Sequence, residues 1–246
     1  MLLAIDIGNT NISLAVFKGA SLLKRAVLPT SAKSYKHILK KLIGRNDMQV
    51  VVCSVVPDAT VRLRQELKRL GVKAYIIGKE IKVPIKNLYR KPGQVGQDRL
   101  VNAYSGVRLY GAPLVAVDFG TAITFDSISA SGAYLGGMIL PGLGISLDSL
   151  ASRTALLPKI KLQPPREFIG KDTQSSILSG VVFGYAALVD ELCARLKQKL
   201  GRRAKVVLTG GNARFMAKFC RNFDQVDPDL ILKGLMLLGK NYKKNS

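Results

Sequence analysis

Tryptophan is absent from this 246-residue chain, and histidine occurs once, as His37. Three cysteines, Cys53, Cys193 and Cys220, lie far apart with no CxxC or Cys/His spacing. That scatter argues against a disulfide framework or a zinc site and fits buried, reduced thiols. His37 stands in a Lys-rich helical stretch, the setting of a surface residue rather than a base or ligand. Catalysis, if any, must then rest on carboxylates and on backbone that binds anions. Carboxylates are scarce too: 16 acidic residues face 38 basic ones, a net charge of +22.

Long apolar runs are also missing. The longest candidate, Tyr134 to Leu147, is cut by Gly136, Gly137, Pro141, Gly142 and Gly144, short of the roughly 20 residues a membrane helix needs. The stretch Met1 to Asp6 has no basic n-region and meets a carboxylate too early for a signal peptide. A cytoplasmic protein with no membrane partner is expected. At 48% hydrophobic content the chain can bury one large core or two modest ones.

The basic residues cluster at Lys33 to Arg45, Arg62 to Lys73, Arg195 to Lys205 and Lys240 to Lys244. They are spread over several amphipathic helices and do not interleave with aromatics. Solvated helix faces are therefore the expectation, and nucleic acid is not expected as a partner. Such a field attracts anionic substrates in either case. The few acidic residues say more. Asp6, Asp98, Asp118, Asp126, Asp148 and Asp172 fall in Gly- or Thr-rich segments rather than on helix faces, where metal or proton chemistry is a candidate role.

Two stretches repeat one phrase. Ala4-Ile5-Asp6-Ile7-Gly8-Asn9-Thr10 and Ala116-Val117-Asp118-Phe119-Gly120-Thr121 each run an apolar strand into an Asp and a Gly turn, 112 residues apart. Each is followed by a second and a third strand. In the first half a continuous Val-rich run follows, Gln49 to Val56, of the kind buried on both faces; in the second, the strand Lys205 to Thr209 closes on Gly210-Gly211 at the equivalent place. Helical spacing marks Tyr35 to Ile43, Val61 to Leu70, a helix from near Asp98, a long one from Thr173 to Leu200 and a last one from Asp229. Two related α/β halves with mixed sheets are predicted, residues 1–112 and 113–246.

A strand–Gly–strand hairpin can turn backbone N–H groups toward an anion, and Asn9, Thr10 and Thr121 add short donors suited to phosphate oxygens. Asp6 and Asp118 would hold cations that offset the phosphate charge. Either hairpin alone reads as an ordinary Asp-Gly turn. Two copies at equivalent places point to a nucleotide phosphate chain lying between them. The Walker and Rossmann glycine patterns are both absent.

This duplication resembles the actin, Hsp70 and sugar kinase superfamily, whose halves are ribonuclease H-like (actin-like ATPase) domains. The stretch Tyr89-Arg90-Lys91-Pro92-Gly93-Gln94-Val95-Gly96-Gln97-Asp98-Arg99-Leu100-Val101-Asn102 is similar to the substrate-binding and catalytic motif of type III pantothenate kinases. Asp6 to Thr10, Val117 to Asp126, Tyr134 to Gly142, Ser152 to Pro158 and Thr209 to Ala213 agree with that family in the same order. Gln97 departs from it, standing where the family more often has Ala or Ser, and Gly170 to Thr173 is a looser match.

The resemblance implies ATP-dependent phosphorylation of pantothenate to 4'-phosphopantothenate, the first step toward coenzyme A, by a homodimer. It implies that Asp98 accepts the hydroxyl proton, and that Tyr89, Gly96, Gln97, Asp98, Arg99 and Thr173 bind pantothenate, with Thr173 reaching across the dimer interface. ATP would meet Asp6, Ile7, Gly8, Asn9, Thr10, Asn11, Ile12, Ser13 and Thr121. Magnesium would lie with the phosphates at Asp6, and potassium or ammonium at Asp118. Placed where a helix begins, Asp98 should have its pKa depressed by the helix dipole; without the motif it would read as a plain N-cap. Arg99 read alone is a surface ion pair, and Thr173 read alone is a helix N-cap. Two rivals remain: a nucleic-acid-associated regulator on the same fold, motivated by the charge, and a kinase for another small alcohol.

Overall fold

The computed structural model describes residues 1–44 and 48–244, so Arg45 of the first basic cluster lies outside the described residues. The chain divides into two compact units, Met1–Arg108 with Asp229–Ser246, and Leu109–Pro228.

The first unit opens with β1 (Leu2–Ile7), β2 (Asn11–Lys18) and β3 (Ser21–Pro29), an antiparallel meander. Then come α1 (Lys36–Ile43), β4 (Gln49–Ser54), α2 (Pro57–Arg69) and β5 (Ala74–Ile76). After a long connection holding a 3-10 turn at Pro92–Gln94, α3 (Gln97–Tyr110) begins. β4 and β5 join parallel to β1, giving the order β3-β2-β1-β4-β5. Strand alternation sorts the apolar side chains to two faces. Leu3, Ile5, Ile7, Val50 and Val52 face α1 and α2; Leu2, Ala4, Val51 and Cys53 share the other face with Val101 and Tyr104 of α3.

The second unit repeats this plan. β6 (Leu114–Phe119), β7 (Ala122–Ile128) and β8 (Tyr134–Pro141) form the meander, followed by α4 (Leu143–Arg153) and α5 (Thr173–Leu200). β9 (Lys205–Thr209), α6 (Ala213–Met216) and β10 (Gln225–Val226) complete it. The sheet order read from its meander side is β8-β7-β6-β9-β10, with the same parallel and antiparallel pairings as the first. Helix α5 is long and apolar enough, by length and composition alone, to cross a membrane. A core helix passes the same test, and here Val181, Val182, Ala186, Val189 and Cys193 of α5 lie in the unit's buried core.

The last helix, α7 (Leu230–Lys244), departs from the division at residue 113. It packs on the first sheet and not with the half that precedes it in sequence. Ser105 donates its hydroxyl to the Leu230 carbonyl at 2.7 Å, and the Gln49 amide donates to Gly239 at 3.0 Å. Leu232, Leu235, Met236 and Leu238 fill the face of the sheet that α3 also covers.

Candidate active site

The first hairpin is clamped from within. The Gly8 N–H donates to the Asn11 carbonyl at 3.0 Å. Beyond β3, Thr30 gives its N–H to the Thr10 carbonyl at 2.9 Å and its hydroxyl to the Gly8 carbonyl at 2.7 Å. The glycine amide is thus used in closing the turn, and the exposed polar groups at its tip belong to Asn9, Thr10 and Asn11. Ile7 and Ile12 are buried in the core, so only their backbone can face a ligand. Asp6 is half-buried and stands opposite Ser13 on one side and Cys53 on the other.

α3 brings the next carboxylate to this unit. Gln97 rather than Asp98 starts the helix, so Asp98 lies inside the first turn and is no N-cap. The residue is half-buried, but its Oδ1 is sealed from solvent and accepts no hydrogen bond. Desolvation raises the Asp98 pKa above the usual carboxylate value, against the opposing pull of the Arg99 N–H and charge. The expectation of a depressed pKa is therefore overturned. The dipole of a helix end acts through its amides, whereas Oδ1 has lost water without gaining a donor.

Cys53 is the residue that links the two carboxylates. Fully buried, its thiol pKa is pushed well up, first by desolvation and then by the charges of Asp6 and Asp98. Asp6, Cys53 and Asp98 therefore converge on one sheet face, at the ends of β1 and β4. Just before the helix, the Asp98 carboxylate lies against the α-carbon of Gly96, where any side chain would collide with it. The Gln97 side chain covers Gly78 in the same way, with its Cδ 2.9 Å from where a Cβ would stand.

Arg99 is only 8% exposed, which removes the surface ion-pair reading. Tyr89 is half-buried and its N–H is held by Asn87 Oδ1 at 3.0 Å, while Asn87 Nδ2 reaches the Pro92 carbonyl at 3.3 Å. Asn87 thus shapes the connection leading to Gly96.

In the second unit the hairpin is tighter. Gly120 N–H donates to Ala122 at 3.1 Å, and the Gly142 N–H holds the Thr121 carbonyl at 3.1 Å, leaving Thr121 exposed at the tip. Asp118 stands opposite Thr124 and Thr209, as Asp6 stands opposite Ser13 and Cys53. Its Oδ1 packs on Gly210, which has a φ of +89° and no room for a side chain. Asp126 is fully buried and accepts the Tyr134 hydroxyl at 2.9 Å, bracing β7 against β8. Asp148 pairs with Lys159 at 3.4 Å on the surface.

Thr173 is exposed at the first position of α5. The cap is Asp172, which accepts the Ser175 N–H at 2.7 Å, and that bond is the main reason its pKa is lowered. The N-cap reading of Thr173 therefore passes to its neighbour.

Asp6, Asp98 and Asp118 are legible as site residues in the sequence, whereas Cys53, Asn87 and Gly210 gain their places only from the structure. Asn87 and Cys53 carry no motif of their own. The Thr209 to Ala213 stretch was the available signal for Gly210. Among the described residues, no three His, Cys, Asp or Glu side chains gather as a metal cage. Single carboxylates beside exposed hydroxyl and amide tips suit a divalent ion held mainly by phosphates, as magnesium usually is.

Three comparisons bear on this arrangement. Its sheet plan is shared with the activator of 2-hydroxyisocaproyl-CoA dehydratase from Clostridium difficile, solved with bound ADPNP. The TM-score is 0.55 at 14% identity, over 99% of this chain and 96% of that one. This shows the fold, that of actin-like ATPases and sugar kinases. The chain is 42% identical to the type III pantothenate kinase of Anaeromyxobacter dehalogenans strain 2CP-C, over 97% of this chain and 98% of that protein. It is 40% identical to that of Dehalococcoides mccartyi strain CBDB1, over 96% and 94%. The family model for type III pantothenate kinase matches residues 2–195. With near-complete coverage in sequence and a duplicated sheet carrying both acidic hairpins, the chain belongs to the type III pantothenate kinase family.

Proposed function

We propose that the protein transfers the γ-phosphoryl group of ATP to the hydroxyl of pantothenate, opening coenzyme A biosynthesis. The carrying observation is the half-buried Asp98 carboxyl, its pKa raised by desolvation, at the start of α3 within the family's Tyr89 to Asn102 stretch. The pantothenate hydroxyl oxygen bonds to the γ-phosphorus as the bond to the β-bridging oxygen breaks, and Asp98 takes the proton. A loose transition state lets that proton leave late, so the chief duty of Asp98 is to aim the hydroxyl in line. Its raised pKa makes it a stronger base than a solvated Asp. Buried Arg99 suits a bidentate fork on the pantothenate carboxylate, with Tyr89, Gly96 and Gln97 forming the surroundings.

For ATP, the tip residues Asn9, Thr10 and Asn11 with Ser13 address phosphate oxygens, while Gly8, its N–H and carbonyl both engaged within the turn, shapes the tip between Ile7 and Ile12. Thr121 supplies a second phosphate contact. Magnesium, when bound with the phosphates, neutralises charge beside Asp6. Asp118, with Thr124 and Thr209 opposite it and its Oδ1 packed on Gly210, is the residue that would hold the potassium or ammonium ion. Thr173 completes the pantothenate pocket of a second subunit. Leu156, Phe168 and Ile169, exposed at 91%, 73% and 77% in the segment leading to Thr173, give such a homodimer an apolar contact. A metabolic enzyme of this kind acts in the cytoplasm.

The test is phosphopantothenate formation from ATP, magnesium and pantothenate, with potassium present or replaced by sodium. Product in both cases but faster with potassium is expected. No product under either condition refutes the kinase reading, and equal rates refute the cation at Asp118 alone. A panel of other small alcohols distinguishes the rival substrate class.

A further inference from the structure

The net charge is unevenly shared. The unit formed by residues 1–108 and 229–246 carries 24 basic and 7 acidic residues, net +17; residues 109–228 carry 14 and 9, net +5. The basic clusters lie on several helices, and most of the excess belongs to one unit. Asp6 and Asp98 are among the 7 acidic residues of that unit and leave its excess at +17.

Part of this charge lines a cavity. At the end of α2, a recess of about 480 Å³ is bounded by Arg64, Gln65, Lys68, Gly71, Val72, Lys73 and Ala74. That volume lies within the range of small-molecule sites. Arg64 and Lys68 are one helical turn apart on the same face of α2, and Lys73 follows the turn at Gly71 that leads to β5. Among the described residues, no carboxylate lines the recess. Glu80 reaches Arg64 at 3.3 Å from outside, but its other oxygen already accepts the Ile76 N–H at 2.8 Å. Among the described residues, neither Lys68 nor Lys73 has a carboxylate partner; Lys73 instead lies 5.2 Å from the centre of the Tyr75 ring.

The negative end of the α2 dipole is muted at this place. The Gly71 N–H caps the Lys68 carbonyl at 3.0 Å and the Val72 N–H caps that of Leu67 at 3.0 Å. Three cations around a concave floor, with those helix-end carbonyls satisfied, form a receptor for a chain of linked negative charges. A flat nucleic-acid footprint would need a basic stripe with stacking aromatics instead. Here Val72 and Ala74 add an apolar part to the lining, and Tyr75 lies against Lys73.

We infer that the recess bounded by Arg64, Lys68 and Lys73 is a second anion site that takes a linear oligophosphate, either inorganic or the phosphate chain of a nucleotide. It is assembled from α2 and the turn into β5, and none of its residues is among those assigned to ATP or pantothenate.

Calorimetric titration of inorganic tripolyphosphate into the full chain at low salt tests this, comparing wild type with the exposed double variant Lys68→Gln/Lys73→Gln. Binding should weaken roughly tenfold in the variant, because two partly solvated charge contacts are lost. Pantothenate kinase kcat/KM should stay within about twofold at subsaturating substrate. A control with the same charge loss on α1, Lys36→Gln/Lys40→Gln, should leave tripolyphosphate binding unchanged. Equal weakening in both double variants, or none in either, overturns the site. Tighter binding of a single-stranded RNA, weakened alike by both double variants, overturns it in favour of a diffuse nucleic-acid surface. ADP against pyrophosphate separates the two sources: equal sensitivity to the Lys68/Lys73 change assigns an inorganic chain, and greater sensitivity for ADP assigns a nucleotide.

Discussion

Replacing Asp98 with Asn should abolish turnover and, at neutral pH, make the protein more stable. The carboxylate is held with Oδ1 out of water and without a hydrogen bond. Desolvation, the largest cause, raises its pKa. Between the ordinary carboxylate value and the raised one, the folded chain therefore holds more protons at Asp98 than the unfolded chain does. Wild-type stability must fall as pH rises through that window, and the ionised group remains a cost above it. Asn keeps the shape and removes the charge. An unsatisfied buried acceptor costs about 1–3 kcal/mol; Asp98 is half-buried and keeps its attraction to Arg99, so a gain of about 1 kcal/mol is reasonable. In a chain of this size that is a rise of about 2–4 °C in Tm. Thermal unfolding of both proteins from pH 3 to pH 8 should show a difference near zero in acid that grows to a plateau above the raised pKa. Turnover should drop about 100-fold or more, with ATP binding retained. A variant less stable than wild type at pH 7, or a stability difference that does not vary with pH, would refute the desolvation argument. Near-normal turnover would refute the role.

Gly210→Ala should cost about 2–5 kcal/mol, from left-handed strain and from overpacking against Asp118 and the Phe119 backbone. Gly71→Ala, at a similar φ of +70° with open space around it, should cost only about 1–2 kcal/mol; equal losses in denaturant melts would remove the steric argument. Asp172→Ala deletes the cap of α5 and should destabilise by about 1 kcal/mol, whereas Thr173→Ala should leave the melt unchanged and raise the KM for pantothenate. The thiols of Cys193 and Cys220, each pushed up to about 12 chiefly by burial, should resist alkylation at pH 8 in the native protein, as should buried Cys53. Mass spectrometry showing rapid native labelling would contradict that burial.

Much of the fold can be read along the chain because its signals are local. The two Asp-Gly hairpins, the apolar runs of β4 and β9 and the helical spacing of α2 and α5 each need only neighbours in sequence to appear. The destination of α7 is different. Leu232, Leu235 and Leu238 announce a helix with apolar faces, but nothing in them says which sheet they will cover; the space left beside β1 and α3 settles that. Asp98 shows the same limit on a smaller scale. Its position at a helix start is visible in sequence and argues for a depressed pKa. The direction reverses because the packed turn withholds both water and a donor from Oδ1.

The charge divides in the same manner. Composition establishes +22, but the share of it in one unit depends on α7 returning to the first sheet and on where the chain partitions. The hairpins, the motif from Tyr89 to Asn102 and the family they mark were determined by the sequence itself, since each is a pattern of adjacent residues. The meeting of Asp6, Cys53 and Asp98 was decided only by the tertiary structure. Strand register sets Cys53 beside Asp6, and the packing of α3 on that sheet face brings in Asp98 from 45 positions beyond Cys53.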